Sequence, residues 1–295
     1  MAVLSARPGV ALRNIVIATD FSPVSELALD YATAIARHYD SKIHLVHALE
    51  PTGGGAAPHT TTLWGSETEA DAKEKLRHEA VRCGAIECSQ WVLKGMPQEV
   101  VERVLSLAEP DLVVLGTYTG KGLRNVAIGY AAEYFFRHSH CPVLAVGVSM
   151  KRCPPSWRPR YVLLTTDLQS DETMAARWAV SLARDYDARL ALLHVAPPAP
   201  APFPADQHIV AGPYFQSRLR ELLSYRPSLD YPAEFWVEFA NDVVAEIVRV
   251  ARERAIDLIV LSVHRQEPWG FHFVHEAYRI VAEAPCPVLV TQRRY

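Results

Sequence analysis

The sequence predicts an α/β protein built from two tandem, doubly wound domains. Apolar runs typical of buried parallel strands alternate with helical patterns that carry one apolar stripe. The pattern of the first half restarts in the second half, where Asp167 stands 147 positions after Asp20. The chain of 295 residues, 49% hydrophobic and 21% charged, is long enough for two domains of ordinary size.

The first half contains five predicted strands with helices between them. The first strand is a continuous apolar run, and Ser22 and Pro23 then supply the N-cap and first position of a helix. The predicted strands cover residues 14–20, 42–49, 86–93, 111–115 and 142–148. The predicted helices cover residues 23–38, 67–83, 97–108 and 126–137. Alternation of this kind favours a parallel sheet with helices on both faces.

The second half repeats these features in the same order, which indicates an internal duplication. The repeated strands are 161–167, 257–261 and 286–290, a further strand is predicted at 235–239, and helices are predicted at 214–225 and 241–255. We expect a first domain at 1–149 and a second at 161–295. Between them, 150–160 is rich in prolines and basic residues, which is typical of a solvated linker.

Composition excludes several classes of partner and location. The net charge of −3 predicts no bulk attraction to nucleic acid or to anionic membranes. No run of about 18 apolar residues is present, so no transmembrane helix is expected. The first residues lack the apolar region of a signal peptide. The five cysteines have no zinc-ligand spacing, and we interpret them as reduced thiols of a cytoplasmic protein.

Four sequence segments of the first half, in their order and spacing, are specific enough together to indicate a protein family. They are Ile-Ala-Thr-Asp-Phe-Ser at 17–22, Leu-Val-His at 45–47, Asp-Leu-Val-Val-Leu-Gly-Thr at 111–117 and Cys-Pro-Val-Leu-Ala-Val at 141–146. In this order and spacing they resemble the universal stress protein family, present here as a tandem. The resemblance implies an adenine-nucleotide alpha-hydrolase-like fold with strand order 3-2-1-4-5 in each domain. It also implies an internal pseudo-dimer, in which the two domains pair through their last strands.

That strand order implies a binding crevice. Strands 1 and 4 are neighbours whose connections leave towards opposite faces, and ligands bind at such a switch point. Asp20 ends strand 1 and Gly116 ends strand 4, so we expect both at one crevice. In nucleotide-binding members of the family, the acidic residue lies near the adenosine and the residue at Ala48 touches the base through its backbone.

The family's phosphate loop, Gly-x2-Gly-x9-Gly followed by Ser or Thr, is matched in part. Gly116 and Gly129 occupy the first and third glycine positions, Thr119 replaces the middle glycine, and Tyr130 replaces the small hydroxyl residue. Gly120 stands next to Thr119 and offers a shifted alternative. The candidate nucleotide site is Thr19, Asp20, Ala48, Gly116, Thr119, Gly120, Gly129 and Tyr130. The ligand would be ATP or another adenine nucleotide, with Mg²⁺ only if ATP is bound.

The second domain has lost the glycines of this pattern. Its equivalent positions are Asp167, Val195, Ser262, Arg265, His275 and Glu276. Because Glu276 would repel a phosphate, we expect this copy not to bind ATP in the family manner.

Three function classes remain open, and no catalytic residue or metal site is predicted. The first is a non-enzymatic stress-response binding module. The second is a protein-interaction or scaffold protein with degenerate nucleotide sites, and the third is a slow ATP hydrolase, for which no general base presents itself. A Walker motif fails on spacing, and the clustered histidines lack accompanying ligands. A homodimer of the whole chain is also left open.

Three further features stand outside the site pattern. The segments 51–66 and 197–213 are predicted loops that leave strand 2 of each domain, either as a cover over the crevice or as an insertion. His47 and His194 repeat at strand ends and are expected to have packing or hydrogen-bonding roles. Cys83 and Cys88 are interpreted as separate thiols rather than as a redox pair.

Overall fold

One sheet of ten strands runs through the protein in a computed structural model. The structure describes residues 10–49, 68–117, 132, 134–136, 139–150, 152–154, 156–168, 173–198, 206–224, 230–263 and 271–292. The strands of the first half are β1 (Asn14–Ala18), β2 (Lys42–Leu49), β3 (Cys88–Lys94), β4 (Leu112–Thr117) and β5 (Val143–Gly147). Those of the second half are β6 (Tyr161–Thr165), β7 (Arg189–Ala196), β8 (Ala233–Phe239), β9 (Leu258–Val263) and β10 (Val288–Gln292).

Helices connect these strands and cover the sheet on both faces. The described helices are α1 (Pro23–Tyr39), α2 (Glu69–Cys83), α3 (Pro97–Ala108), α4 (Thr173–Tyr186), α5 (Asp206–Ser224), α6 (Val243–Glu253) and α7 (Phe271–Glu283). Residues 134–136 are also helical. Among the described helices, none combines the length and the apolar character needed to cross a membrane.

The strand order is β3-β2-β1-β4-β5-β10-β9-β6-β7-β8. Each half therefore has the expected order 3-2-1-4-5, and its strands are parallel. The last strands of the two halves pair antiparallel, with Leu289 opposite Leu144. The expected pairing of the domains through their last strands is therefore observed.

Two apolar cores lie on the two faces of this sheet, and each crosses both halves. One lies under α1, α2, α4 and α5, and the other under α3, α6 and α7. Across the junction, the His38 ring stacks on the Tyr186 ring at 4.0 Å, and the Tyr39 hydroxyl donates to Asp185 over 2.9 Å. The two halves therefore share their cores as well as their sheet.

Two predictions about connecting segments were wrong. The segment 197–213 is not loop throughout, because α5 begins at Asp206, eight residues upstream of its predicted start, and contains Pro213. A proline inside a helix removes a backbone donor, which is why the sequence pattern indicated a loop there. The linker is also not simply solvated: Met150 and Cys153 are buried, and the Trp157 ring packs edge-on against Tyr31 at 4.9 Å. The predicted loop 51–66 and most of the predicted helix 126–137 lie outside the described residues.

Candidate functional site

A cavity of about 500 Å³ opens at the carboxyl ends of the strands in the second half. It lies among β6, β7, β9 and α7, where strands 1 and 4 of the repeat are neighbours. Four of the positions predicted from the sequence line it, namely Asp167, Val195, Ser262 and Glu276. These four residues therefore lie at one cavity at the switch point of the second half.

The end of β6 is held by a histidine from the neighbouring strand. The Thr166 N–H donates to Leu193 O over 3.0 Å, and His194 Nδ1 lies 2.9 Å from Thr166 O. The Thr166 hydroxyl then accepts from the Leu168 N–H over 2.9 Å. Leu168 has a φ of +59°, which residues with a Cβ rarely adopt. The hydrogen bonds around Thr166 hold the turn in this conformation.

The first half builds the same turn from equivalent residues. The Thr19 N–H donates to Val46 O over 2.9 Å, and His47 Nδ1 lies 2.9 Å from Thr19 O. The Phe21 N–H donates to the Thr19 hydroxyl over 3.1 Å, and Phe21 has a φ of +60°. The expected hydrogen-bonding role of the two histidines is observed in both copies.

Asp20 lies exposed between this turn and α1. Its Oδ1 accepts a hydrogen bond from the Ser22 N–H over 3.0 Å, and the Ser22 hydroxyl accepts from the Ser25 N–H as the N-cap of α1. The carboxylate therefore lies at the N-terminal end of a helix, which favours negative charge. Ala48, at the end of the neighbouring β2, is partly buried.

Comparison with known proteins decides the family. The universal stress protein family model matches the chain twice, over residues 11–147 and 160–292. The chain belongs to the universal stress protein family.

Individual relatives agree with this assignment. A universal stress protein of Methanocaldococcus jannaschii is 30% identical over 139 residues, which are 45% of this chain and 81% of the relative. A crystal structure of a universal stress protein from Archaeoglobus fulgidus superposes with a TM-score of 0.69 at 16% identity, covering 95% of this chain and 96% of its own. A putative universal stress protein from Pseudomonas aeruginosa gives a TM-score of 0.61 at 16% identity, with coverage of 96% and 94%. At these identities, the two structures support the fold alone.

Gly116 is the first glycine of the family's phosphate loop, and in this universal stress protein its close packing against α1 explains why the residue is a glycine. A Cβ built on it would lie 2.7 Å from the Ser25 nitrogen and equally close to the carbonyl of Val24. The first turn of α1 thus passes directly over the end of β4, and only a glycine leaves room for it. The sequence analysis explained this glycine by the close approach of a phosphate. Its packing against the backbone of α1 requires a glycine even without a ligand.

The other loop positions of the first domain lie outside the described residues. These are Thr119, Gly120, Gly129 and Tyr130, together with Arg265 of the second domain. His275 lies in α7, and its side chain is not described. Their assignment to a phosphate site stays a prediction.

Glu79 was missed by the sequence analysis and lies behind the first-domain crevice. Its Oε1 accepts from the Thr19 hydroxyl over 3.1 Å, while its Oε2 is buried with no hydrogen-bond partner among the described residues. Burial raises the pKa of this carboxyl to about 7, and the Thr19 hydrogen bond only partly offsets the rise. The sequence did indicate that Glu79 is buried, because it lies on one helical stripe whose other members are apolar, namely Ala72, Leu76 and Cys83.

The second-domain cavity is mixed in character. Asp167 and Glu276 line it as carboxylates, and Arg218, which pairs with Glu221 at 3.2 Å, contributes a positive charge. The Phe215 ring packs against His194 with ring centroids 4.6 Å apart and closes one side. Within the described parts of the chain, no group of three or more histidine, cysteine, aspartate or glutamate residues could hold a metal ion.

Proposed function

We propose that the protein is a non-enzymatic stress-response binding module that takes ATP or another adenine nucleotide in its first domain only. The support for this proposal is the difference between the two domains at the positions of the phosphate loop. In the second domain, Glu276 lines the cavity and is the equivalent of Tyr130, so a phosphate bound there would face a carboxylate. In the first domain, Gly116 is the penultimate residue of β4, and the sequence that follows carries further glycines with Lys121 and Arg124. Mg²⁺ would enter only as the partner of ATP.

The absence of turnover is part of the proposal. A general base must reach the attacking water within hydrogen-bond distance. Glu79 has a suitable pKa of about 7, but it is only 5% exposed and its Oε1 is held by Thr19. Phosphate release that survives stringent purification and is lost in Asp20→Ala would contradict the non-enzymatic proposal.

The two copies of strand 1 supply a matched test of nucleotide binding. Isothermal titration of the full chain with ATP is compared for wild type, Asp20→Ala and Asp167→Ala. We expect the Asp20 change to weaken binding at least about tenfold, the effect of losing one good polar contact, and the Asp167 change to leave it unaltered. The opposite pattern would place the nucleotide in the second domain. Asp20 is preferred to Gly116 as a target, because any side chain at Gly116 displaces α1.

A second candidate is a protein-interaction module that binds no nucleotide. One observation favours it: Gly116 is accounted for by packing against α1, without any ligand. Absence of heat with ATP, and absence of small molecules in mass spectra of the natively purified protein, would favour this alternative. We also retain the cytoplasmic location predicted from composition, which cell fractionation tests.

A further inference from the structure

Two cysteine thiols meet where α2 passes into β3. Cys83 is the last residue of α2 and is fully buried, whereas Cys88 is the first residue of β3 and is half-buried. Their Sγ atoms are 3.6 Å apart and form a thiol hydrogen bond. The sequence analysis interpreted them as separate thiols, and the structure shows instead that they are direct neighbours.

The turn between the cysteines has room to adjust. A disulfide has an S–S distance of about 2.05 Å, so the two sulfur atoms would have to approach by about 1.5 Å. Gly84 follows Cys83 with a φ of +65°, and nothing lies within 4 Å of a Cβ built on it. The hydrogen bond from the Ile86 N–H to Cys83 O is long, at 3.3 Å. The turn at Gly84 is therefore open to a small shift.

We propose that Cys83 and Cys88 form an oxidisable dithiol, which a peroxide converts into an intramolecular disulfide that links the end of α2 to β3. β3 is the outermost strand of the first half in the observed sheet order. The bond would hold this outer strand to its helix, one helical turn beyond Glu79. This inference is independent of nucleotide binding, so either proposal can fail alone.

The chemistry balances with one peroxide per pair. As its proton passes to the Cys83 thiolate, the half-buried Cys88 sulfur attacks one peroxide oxygen, the O–O bond breaks, and a sulfenic acid and hydroxide result. The Cys83 thiolate then attacks the Cys88 sulfur, the S–O bond breaks, and a second hydroxide leaves. The two thiol protons convert both hydroxides to water. The two sulfurs are oxidised to a disulfide, and the peroxide is reduced to two waters.

The two thiols of the pair differ in how easily they ionise, because the hydrogen bond with Cys83, together with burial, raises the pKa of Cys88 well above its ordinary value. A hydrogen bond between the thiols lowers the pKa of Cys83 below its ordinary value, and the nearby Arg37 acts in the same direction. By contrast, burial raises the pKa of Cys153 to about 12 and raises that of Cys286 further. The remaining cysteines therefore serve as internal controls.

Peptide mapping gives a direct test on the full chain. The protein is treated with hydrogen peroxide under native conditions and then unfolded in urea, its free thiols are blocked with N-ethylmaleimide, and the chain is digested with trypsin. Cleavage after Arg82 and Lys94 leaves both cysteines in one peptide, 83–94. We expect this peptide to lose about 2 Da, to escape blocking, and to regain both thiols with dithiothreitol. The peptides that contain Cys141, Cys153 and Cys286 should stay blocked.

A matched pair of variants completes the test. Cys88→Ser should abolish the 2 Da loss, and Cys141→Ser, another half-buried cysteine, should leave it unchanged. The oxidised wild type should melt at a higher temperature than the reduced form, because the bond restrains the unfolded chain. Full blocking of both cysteines in 83–94 after peroxide treatment of the folded protein would overturn the proposal. Formation of the bond only in denaturant, or a lower melting temperature on oxidation, would also overturn it.

Discussion

At the scale of single residues, burial of Glu79 should make the free energy of unfolding depend on pH. Its carboxyl has an ordinary pKa of 4.5, and burial in the folded protein raises that pKa to about 7. Between these values the folded chain holds a proton that the unfolded chain has released. The free energy of unfolding should therefore fall as pH rises from 4.5 to 7, with the full contribution present below 4.5.

Glu79→Gln should remove this slope, because a neutral amide neither titrates nor carries a buried charge. Relative to wild type, the variant should gain stability as pH rises, by at most about 3 kcal/mol at pH 8. Urea unfolding at several pH values measures the effect. Glu74→Gln, an exposed change on the same helix, is the control and should keep the wild-type slope. An unchanged slope in Glu79→Gln would contradict the assignment.

The close packing of Gly116 against α1 leads to a second prediction for a single residue. In Gly116→Ala, the new Cβ would lie 2.7 Å from backbone atoms of α1, which cannot rotate away. We expect a loss of about 1–3 kcal/mol in the free energy of unfolding. Gly212→Ala is the matched control, since nothing lies within 4 Å of its Cβ position in α5, and it should be neutral or stabilising by up to about 1 kcal/mol. Denaturant midpoints measure both, and equal midpoints would contradict the packing explanation.

These residues also show which features of the site could be predicted from the sequence and which could not. The turn at Thr19 and Asp20 could be found, because the duplication repeats it at Thr166 and Asp167. The packing role of Gly116 could not, since it depends on how closely α1 crosses β4. Glu79 was overlooked for a different reason: a charged residue in a charged helix is usually solvated, so its place on the apolar stripe of α2 was given no weight.

At the scale of elements, strands were predicted better than the helices beside long connections. The central strands are apolar runs buried on both faces, so their sequence alone nearly fixes their bounds. Helix α5 was predicted to begin at Tyr214 because Pro213 interrupts the pattern. In the structure, the packing of buried Leu219 and Leu223 against the sheet outweighs the missing hydrogen bond.

Pro213→Ala should therefore strengthen α5. Pro213 is exposed, so its replacement removes a helix-breaking residue without opening a core cavity. We expect a gain of about 1–3 kcal/mol in stability and a small rise in helical circular dichroism. Pro197→Ala, outside any described helix, is the control and should give neither change. Loss of stability in Pro213→Ala would show that the proline fixes the course of the chain instead.

At the scale of the whole molecule, the two domains share one sheet and both apolar cores. Without its partner, the last strand of each domain would leave a row of backbone groups unpaired. Here β5 and β10 satisfy each other, and Gln292 donates to the carbonyls of Phe135 and Phe136 across the junction. The resemblance to the family implied the pairing, but the sharing of both apolar cores depends on helix positions that no repeat specifies.

Gly147 is the residue on which this junction depends most directly. It ends β5, and a Cβ built on it would lie 2.1 Å from the Val281 carbonyl oxygen of α7. Gly147→Ala must therefore push α7 away from the first domain, and it should cost about 2 kcal/mol or more. The neighbouring Val148→Ala is the control, because Val148 is 40% exposed and should cost less than about 0.5 kcal/mol.

Hydrogen exchange distinguishes a coupled pair of domains from two independent ones. In the wild type, amides of the central strands β1 and β6 should open with the same free energy, since a shared core makes unfolding cooperative. In Gly147→Ala, the opening of β6 should become easier than that of β1, because α7 belongs to the second domain. Exchange is followed by mass spectrometry of peptides that cover 14–18 and 161–165. Different opening free energies for β1 and β6 in the wild type would show that the domains unfold independently despite their continuous sheet.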